Sequence, residues 1–439
     1  MEIFWKALFL SMSILHGIPA SELGVLERYT TLRTVAGLGN QEDGNFWQAG
    51  FEGGNPKLVE LSNPHDCGTD AYGRVYIVDK ESHSVLRVSA DGSQITTVAG
   101  THSPGNAPDA PISATTGDLS NPNGLHVLAD GGFLILDTGN QKVRIVDREG
   151  MMKTLFTYPA GFGAGRGLVA SPFGDEVYFC GELVSASEQN VKRWSAENGF
   201  TTVAGINPGA RGLGNLDLGP HGSLFVTSAG DHRVFKIAPG GSPVVVAGNG
   251  STSGSPTSGA LATSVSLDRV RGIAVLPDGS FFVATQKGGD VWWVDNGPAN
   301  DGAGRRIHLF VNGSGSGNIQ TGDNQHRTGG ADRIAEPRAI NLASNGDLLI
   351  TCNDTGVIRA VRNACKPKAP VLKLNYPALS WRSNWRDRFI MEVSENLQEG
   401  SWTPMAGISS RANGAHTLVF SEPAPGFIRF SAPHLAGGQ

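Results

Sequence analysis

From residue 63 to 363 the chain repeats one grammar of apolar and polar positions. A short apolar run leads into a turn such as AspGly, ProAspGly, ProHisGly or AsnGly. A β-branched and aromatic run follows, then polar turn residues, then a third alternating strand. A fourth strand, clearest in ITTVAG, FTTVAG and PVVVAG, completes the unit. The copies read NPHDCGTDAYGRVYIVD from 63, NPNGLHVLADGGFLILD from 121, GRGLVASPFGDEVYFCG from 165, ARGLGNLDLGPHGSLFVTS from 210, VRGIAVLPDGSFFVATQ from 270 and PRAINLASNGDLLITCN from 337.

A four-stranded unit has two faces to bury and cannot cover them alone, so neighbours stack around a ring. Six copies predict an all-β chain built as a six-bladed β-propeller. TLRTVAG at 31–37 is a fourth-strand sequence with no blade before it, and the sixth copy has only three strands, ending near Asn363. The N-terminal strand is therefore expected to complete the last blade and remove a pair of open edges.

The copies resemble NHL repeats, whose pattern is close to P-x-G-[IL]-x-V-x-x-D-G-x-[IL]-Y-V-x-D-x-x-x-x-x-[IV]. The resemblance spans 64–363, the second copy matches best, and the third departs most, with polar padding from Ser185 to Gln189. The VAG motifs and Gly-rich loops are similar to the secreted bacterial branch. That family contains both enzymes and plain interaction platforms, so the resemblance implies the fold and leaves the function open.

One residue varies just ahead of each first strand, where the chain nears the axis: His65, Asn123, Arg166, Arg211, Arg271 and Arg338. Guanidinium groups offer fixed forks for carboxylate or phosphate, so these positions predict an anion-binding funnel at the channel mouth. The alternative is that the arginines pair with loop acids such as Asp66, Asp118 and Asp268. Asn63-Pro64-His65-Asp66 is similar to the ProHisAsp motif of peptidyl-hydroxyglycine lyase, whose channel histidines bind zinc. The other copies have asparagine or arginine there, which cannot assemble a multi-histidine site. A resemblance to six-bladed sugar-lactone hydrolases stops at Asn123, because the acidic calcium ligands have no counterpart. No resident cofactor or metal is predicted, although calcium or chloride would suit the mouth.

Asp79 and Asp137 fall on the D of Y-V-x-D, where the resemblance implies that the carboxylate ties down the following turn. His126, His221 and His232 read as structural. The Gly-rich connections at 38–62, 101–120, 249–268 and 312–335 are expected on the arginine face, walling a shallow cleft. Phe46, Trp47 and Phe51 form an aromatic cluster in the first of them. It either caps the channel, with Trp47 as a ligand contact, or packs on the last blade. One of Trp292 and Trp293 must face the core, and the other is open to exposure.

Composition narrows the setting. The 439 residues are 39% hydrophobic and 17% charged, with 60 glycines in no three-residue period, which excludes disordered and collagen-like chains. A net charge of -5 without a basic block sets nucleic acid aside. Residues 1–20 read as a secretory signal cleaved near Ala20, and no later segment is long and apolar enough to span a bilayer. The protein is accordingly expected to be secreted, periplasmic or on the cell surface, and monomeric. Of four cysteines, Cys352 and Cys365 are near enough in sequence to staple one blade, while Cys67 and Cys180 read as core.

The grammar changes after the propeller, which is expected to span 28–365. A proline-containing linker at 366–377 leads to a small β unit at 378–434. Its pattern L-x-W…F-x-x-E-x-S-x-N-L-x-x-G-x-W…F-x-R resembles a terminal module of verrucomicrobial-type secreted proteins, with Trp381, Phe389, Leu397, Trp402 and Phe430 as its expected core. The functional expectation is a noncatalytic binding propeller that takes an anionic small molecule, a glycan or a protein surface at the arginine-lined mouth. The alternative is a lyase or hydrolase acting on an anionic polysaccharide or peptide. In that case arginines neutralise a carboxylate and His65 serves as acid or base.

Overall fold

The computed structural model describes residues 24–364 except 40–43, 129–130, 172–173, 184–190, 207–211, 255, 288, 300, 314–322 and 329–333; beyond 364 it describes six strands only. The chain is an all-β, six-bladed propeller. After β1 (Tyr29–Ala36), the first blade comprises β2 (Pro64–Thr69), β3 (Val75–Asp79), β4 (Ser84–Val88) and β5 (Ile95–Ala99). The second comprises β6 (Ile112–Ser113), β7 (Gly124–Val127), β8 (Phe133–Asp137), β9 (Lys142–Val146) and β10 (Met151–Thr157). The third comprises β11 (Phe162–Ala170), β12 (Glu176–Leu183), β13 (Val191–Ser195) and β14 (Gly199–Ala204). The fourth comprises β15 (Leu213–Leu218), β16 (Leu224–Ser228), β17 (Arg233–Ile237) and β18 (Val244–Ala247). The fifth comprises β19 (Val270–Val275), β20 (Phe281–Thr285), β21 (Val291–Val294) and β22 (Ile307–Val311), and the sixth β23 (Pro337–Leu342), β24 (Leu348–Cys352) and β25 (Val357–Asn363).

β1 supplies the outer strand of the sixth blade, pairing antiparallel with β25 from Tyr29↔Asn363 to Ala36↔Ile358. Two arginines lock this closure. Arg327, on the connection into the sixth blade, donates to the carbonyls of Tyr29 (3.1 Å), Leu26 (2.8 Å) and Phe310, and lies 4.6 Å from the Phe310 ring centre. Arg359 of β25 is fully buried and donates to Thr34 Oγ1 of β1 and to Asp323 Oδ1 (2.6 Å).

The core is six apolar clusters, each filling the seam between two neighbouring blades. Strand alternation sends one face of each sheet to each seam, which is why the inner strands are buried on both sides. Tyr29, Phe282 and Phe310 meet edge-on and tilted in the seam of the fifth and sixth blades. Trp292 is buried in the seam of the fourth and fifth blades, and Trp293 packs partly buried against the seam on the opposite side, over His308. Neither tryptophan is therefore simply surface.

The described parts of the long connections run along outer blade edges. Gly53 donates to Ile95 of β5, and Ile95 donates to Gly54. Ile112–Ser113 pairs with β10, Gly259 and Ala260 pair with Ile307 of β22, and Gln325 to Arg327 pair with Thr30 to Leu32 of β1. Each connection covers the outer strand of the blade it leads into. The physical reason is the row of unpaired N–H and C=O groups on an outermost strand, which another backbone satisfies.

Cys67, Cys180 and Cys352 are buried free thiols, so Cys352 does not staple the blade, and its proposed partner Cys365 lies outside the described residues. The padding at 185–189 also lies outside them. In the tail, Leu372–Asn375, Ala378–Ser383 and Gly414–Val419 form one three-stranded sheet. Thr403–Pro404, Ile390–Ser394 and Phe427–Ser431 form another. The side chains of the tail's expected core lie outside the described residues.

Arg327→Ala removes three charge-assisted bonds from carbonyls on either side of the closure. It should destabilise the ring by about 3 kcal/mol, read as a lower urea midpoint, because bonds to charged groups contribute about 1.5–3 kcal/mol each and partial rehydration recovers some of the loss.

Candidate functional site

The variable residues His65, Arg166, Arg271 and Arg338 sit on first strands, at a recurring defect, whereas Asn123 stands just ahead of β7, whose ladder with β8 is regular. β2 pairs with β3 as Pro64↔Asp79 and then Asp66↔Val78, which leaves His65 on a bulge. Arg166 is bulged between Gly165↔Gly181 and Gly167↔Cys180, and Arg338 between Pro337↔Cys352 and Ala339↔Thr351. The β19–β20 ladder skips Arg271 and Gly272 in the same way. A bulge re-aims one side chain without ending the strand, so it accounts for why one position in each of these four blades is free to vary. Just ahead of it stand residues with left-handed backbone, Asn63, Asn121, Arg269 and Glu336, which turn the chain inward.

His65 and Asn123 meet at the seam of the first and second blades, both buried. Asn123 Nδ2 donates to the Gly165 carbonyl of the third blade (3.0 Å), which orients the amide so that Oδ1 faces His65 Nδ1. Nδ1 therefore carries the proton and Nε2 the free lone pair. Burial, with Arg338, Lys80 and Arg166 in electrostatic reach, holds the His65 pKa well below its ordinary value. Four of the expected site residues, His65, Asn123, Arg166 and Arg338, are thus brought together electrostatically or by contact. Arg271 donates to Gln286 Oε1 of its own blade (2.7 Å), and Arg211 lies outside the described residues.

Asp66, expected only as a loop acid, is the residue that sequence reasoning undervalued. It is buried on β2 and accepts from Leu125 N of the second blade (3.1 Å), Asn341 Nδ2 of the sixth (2.8 Å) and its own neighbour Cys67 N. Burial pushes its pKa up to about 7 against those bonds. Asp118 accepts from Thr101 (2.6 Å), and Asp268 lies 3.7 Å from His232, so both have partners other than the mouth arginines. The signal for Asp66 was faint, because the other five copies carry glycine or alanine at its position; Asp217 of β15 accepts from Val275 N across another seam (2.8 Å), but from a place further along its strand.

Asp79 and Asp137 are structural, and each reaches the turn that follows it, Asp79 through Ser82 and Asp137 through Asn140, as well as the segment ahead of its blade. Asp79 accepts from Ser62 N (2.6 Å) and Asp137 from Ser120 N (2.8 Å), so each ties down the segment leading into its own blade. Asp137 additionally bonds Asn140 and the buried Arg144, whose other donors hold the carbonyls of Pro108 and Ala107. His232 Nδ1 accepts from Arg269 N (3.0 Å) and His83 Nδ1 from Asn121 N (3.1 Å), so two histidines stitch one blade to the start of the next. Trp47 packs against the seam of the sixth and first blades, meets Phe51 edge-on, and stacks on His102 at 4.7 Å.

Among the described residues no cluster of three or more His, Cys, Asp or Glu could hold a metal ion, and no helix is long and apolar enough to cross a membrane. No family model matches the chain, and no curated protein does. Solved six-bladed folds do. An auxiliary nutrient binding protein from Bacteroides thetaiotaomicron superposes with a TM-score of 0.54 at 14% identity, over 76% of each chain. One from Bacteroides ovatus gives 0.54 at 12%, again over 76% of each chain. A protein of unknown function from Bacteroides thetaiotaomicron gives 0.56 at 16% over the same shares. At these identities the likeness is one of fold.

The titrations make opposite demands on stability. His65, His83 and His102 have lowered pKa values, His102 to about 4, chiefly through burial. Their contribution is complete above about pH 6.5 and is lost as pH falls towards the folded values, because the unfolded chain binds more protons there. Asp79 is raised to about 7 by burial, so its contribution is present below about pH 4 and lost as pH rises through 7. Asp79→Asn should therefore flatten the alkaline side of a stability-against-pH curve measured by urea unfolding, and leave the acidic fall in place.

Proposed function

We propose that the chain is an exported, noncatalytic binding propeller of the NHL type, taking an anionic ligand at the channel mouth. The observation that carries this reading is the convergence of Arg166, Arg338 and Lys80 on the buried His65–Asn123 pair. A neutral imidazole adds no charge of its own beside Arg166 and Arg338, while Lys80 is paired with Glu81, and guanidinium groups gathered at a mouth favour a carboxylate over a neutral guest. The fold shared with nutrient binding proteins supports a binding role, and residues 1–20 support export. The unit at 378–434 is read as a separate attachment or spacer module.

A second reading rests on one atom. His65 Nε2 is an unprotonated nitrogen beside arginines, which is what a general base for proton abstraction next to a carboxylate requires. In that mechanism the proton beside the carboxylate moves to Nε2, the arginines stabilise the enolate-like charge, and the β C–O bond breaks to form the double bond while the departing oxygen takes a proton from water. Activity would appear as an unsaturated, ultraviolet-absorbing product from a uronate polymer, lost in His65→Gln.

Calorimetric titration with malonate tests the binding reading. Arg338→Ala and Arg166→Ala should each weaken malonate at least about tenfold, the loss of one charge-assisted contact, with unchanged circular dichroism. Equal affinity in all three proteins would show that the mouth is not the site.

A further inference from the structure

The first blade carries a second cleft, away from the channel mouth. The register Pro64↔Asp79 marks the His65 end of this blade, whereas Thr69↔Val75 and Val88↔Ile95 mark the other end. The turns at 70–74 and 89–94 therefore share the opposite face. Between them lies a cleft of about 360 Å3 lined by Tyr72, Arg74, Arg87, Ser89, Gln94 and Thr96, with Ala90 at the margin. That volume is at the lower end of small-molecule sites, about 300–1,000 Å3.

Its charge is built rather than scattered. Arg74 Nε donates to the buried carboxylate of Asp70 (2.5 Å), and its guanidinium lies 5.3 Å from the Tyr72 ring centre. Tyr76 hydroxyl donates to the same carboxylate (3.2 Å) and is hydrogen-bonded by Arg87. Two guanidinium groups thus share one buried carboxylate through a fixed network that holds one positive charge in excess; Asp91, the other acid of these turns, is fully exposed and engaged by Ser89 and Ser93, outside that network. Arg74 is held by its inner nitrogen, so its terminal fork is not spent on Asp70. A single excess charge matches a carboxylate better than a doubly charged phosphate. Around it stand a partly exposed tyrosine ring, an amide and a hydroxyl, the groups that take a sugar ring and its hydroxyls.

We propose that this cleft is a binding site for a carboxylate-bearing saccharide, separate from the channel mouth and on the opposite face of the ring. Arg87 and the outer nitrogens of Arg74 hold the carboxylate, Tyr72 packs on the sugar ring, and Gln94 and Thr96 bond its hydroxyls. Asp70 is a positioning residue that fixes Arg74.

The test is ligand-observed nuclear magnetic resonance and calorimetry on the full chain, with trigalacturonate as probe and galactotriose as its neutral counterpart. Trigalacturonate should bind at least about tenfold more tightly than galactotriose. Arg87→Ala and Tyr72→Ala should each weaken it by about fivefold or more, in the native protein and in an Arg338→Ala background alike, so that any binding at the mouth is subtracted. Should Arg87→Ala lower the melting temperature, Tyr72→Ala carries the comparison, because it removes no partner of Asp70. Equal affinity for the charged and neutral sugars, no binding of trigalacturonate, or a loss confined to Arg338→Ala would each overturn the proposal.

Discussion

The backbone pairing of Tyr29–Ala36 with Val357–Asn363 is the constraint on which every other part rests. Without it the sixth blade has three strands, its seam with the first blade lacks Val35 and Ala36, and the ring has two loose ends. The pairing is reinforced where it is most vulnerable, by buried arginines that bond backbone carbonyls and a hydroxyl rather than by more apolar surface. A guanidinium can satisfy several acceptors at once, which suits the junction of two remote chain segments with ragged carbonyls.

Closure also fixes the chemistry of the mouth. Asp66 of the first blade holds backbone of the second and a side chain of the sixth, so it spans the junction that β1 seals. His65 sits one residue away on a bulge and shares its seam with Asn123, itself anchored to the third blade. The mouth is assembled from four blades, and its geometry exists only when the ring is shut. A rigid ring that presents bulged side chains is preorganised, since the ordering cost was met in folding.

Much of this was legible from the chain. The fourth-strand motif stranded ahead of the first copy and the missing one after the last together identify the closure. The position of the variable residues was also legible, because they stand at a fixed place beside a turn signal. The bulge that frees them was not, since bulging depends on register with a second strand and leaves no composition of its own. The pairing of the Gly-rich connections with outer strands was not legible for a related reason. Glycine announces permissive backbone, and here the permission is used to lie flat along an outer strand, a tertiary outcome that local pattern does not encode. Nothing in the sequence singled out Arg144, Arg327 and Arg359, which are buried because nearby segments offer them carbonyls and carboxylates.

Strand order has a temporal meaning as well. Synthesis delivers Tyr29–Ala36 first and its partner Val357–Asn363 only after five complete blades, so the closing strand waits unpaired through nearly all of translation. Each covering connection precedes the outer strand it shields, except at the sixth blade, where the shielded strand has been waiting since the start. The nascent chain thus carries an exposed β-forming segment, TTLRTVA, for longer than any other part. Any factor that guards this protein during its production has one obvious place to hold.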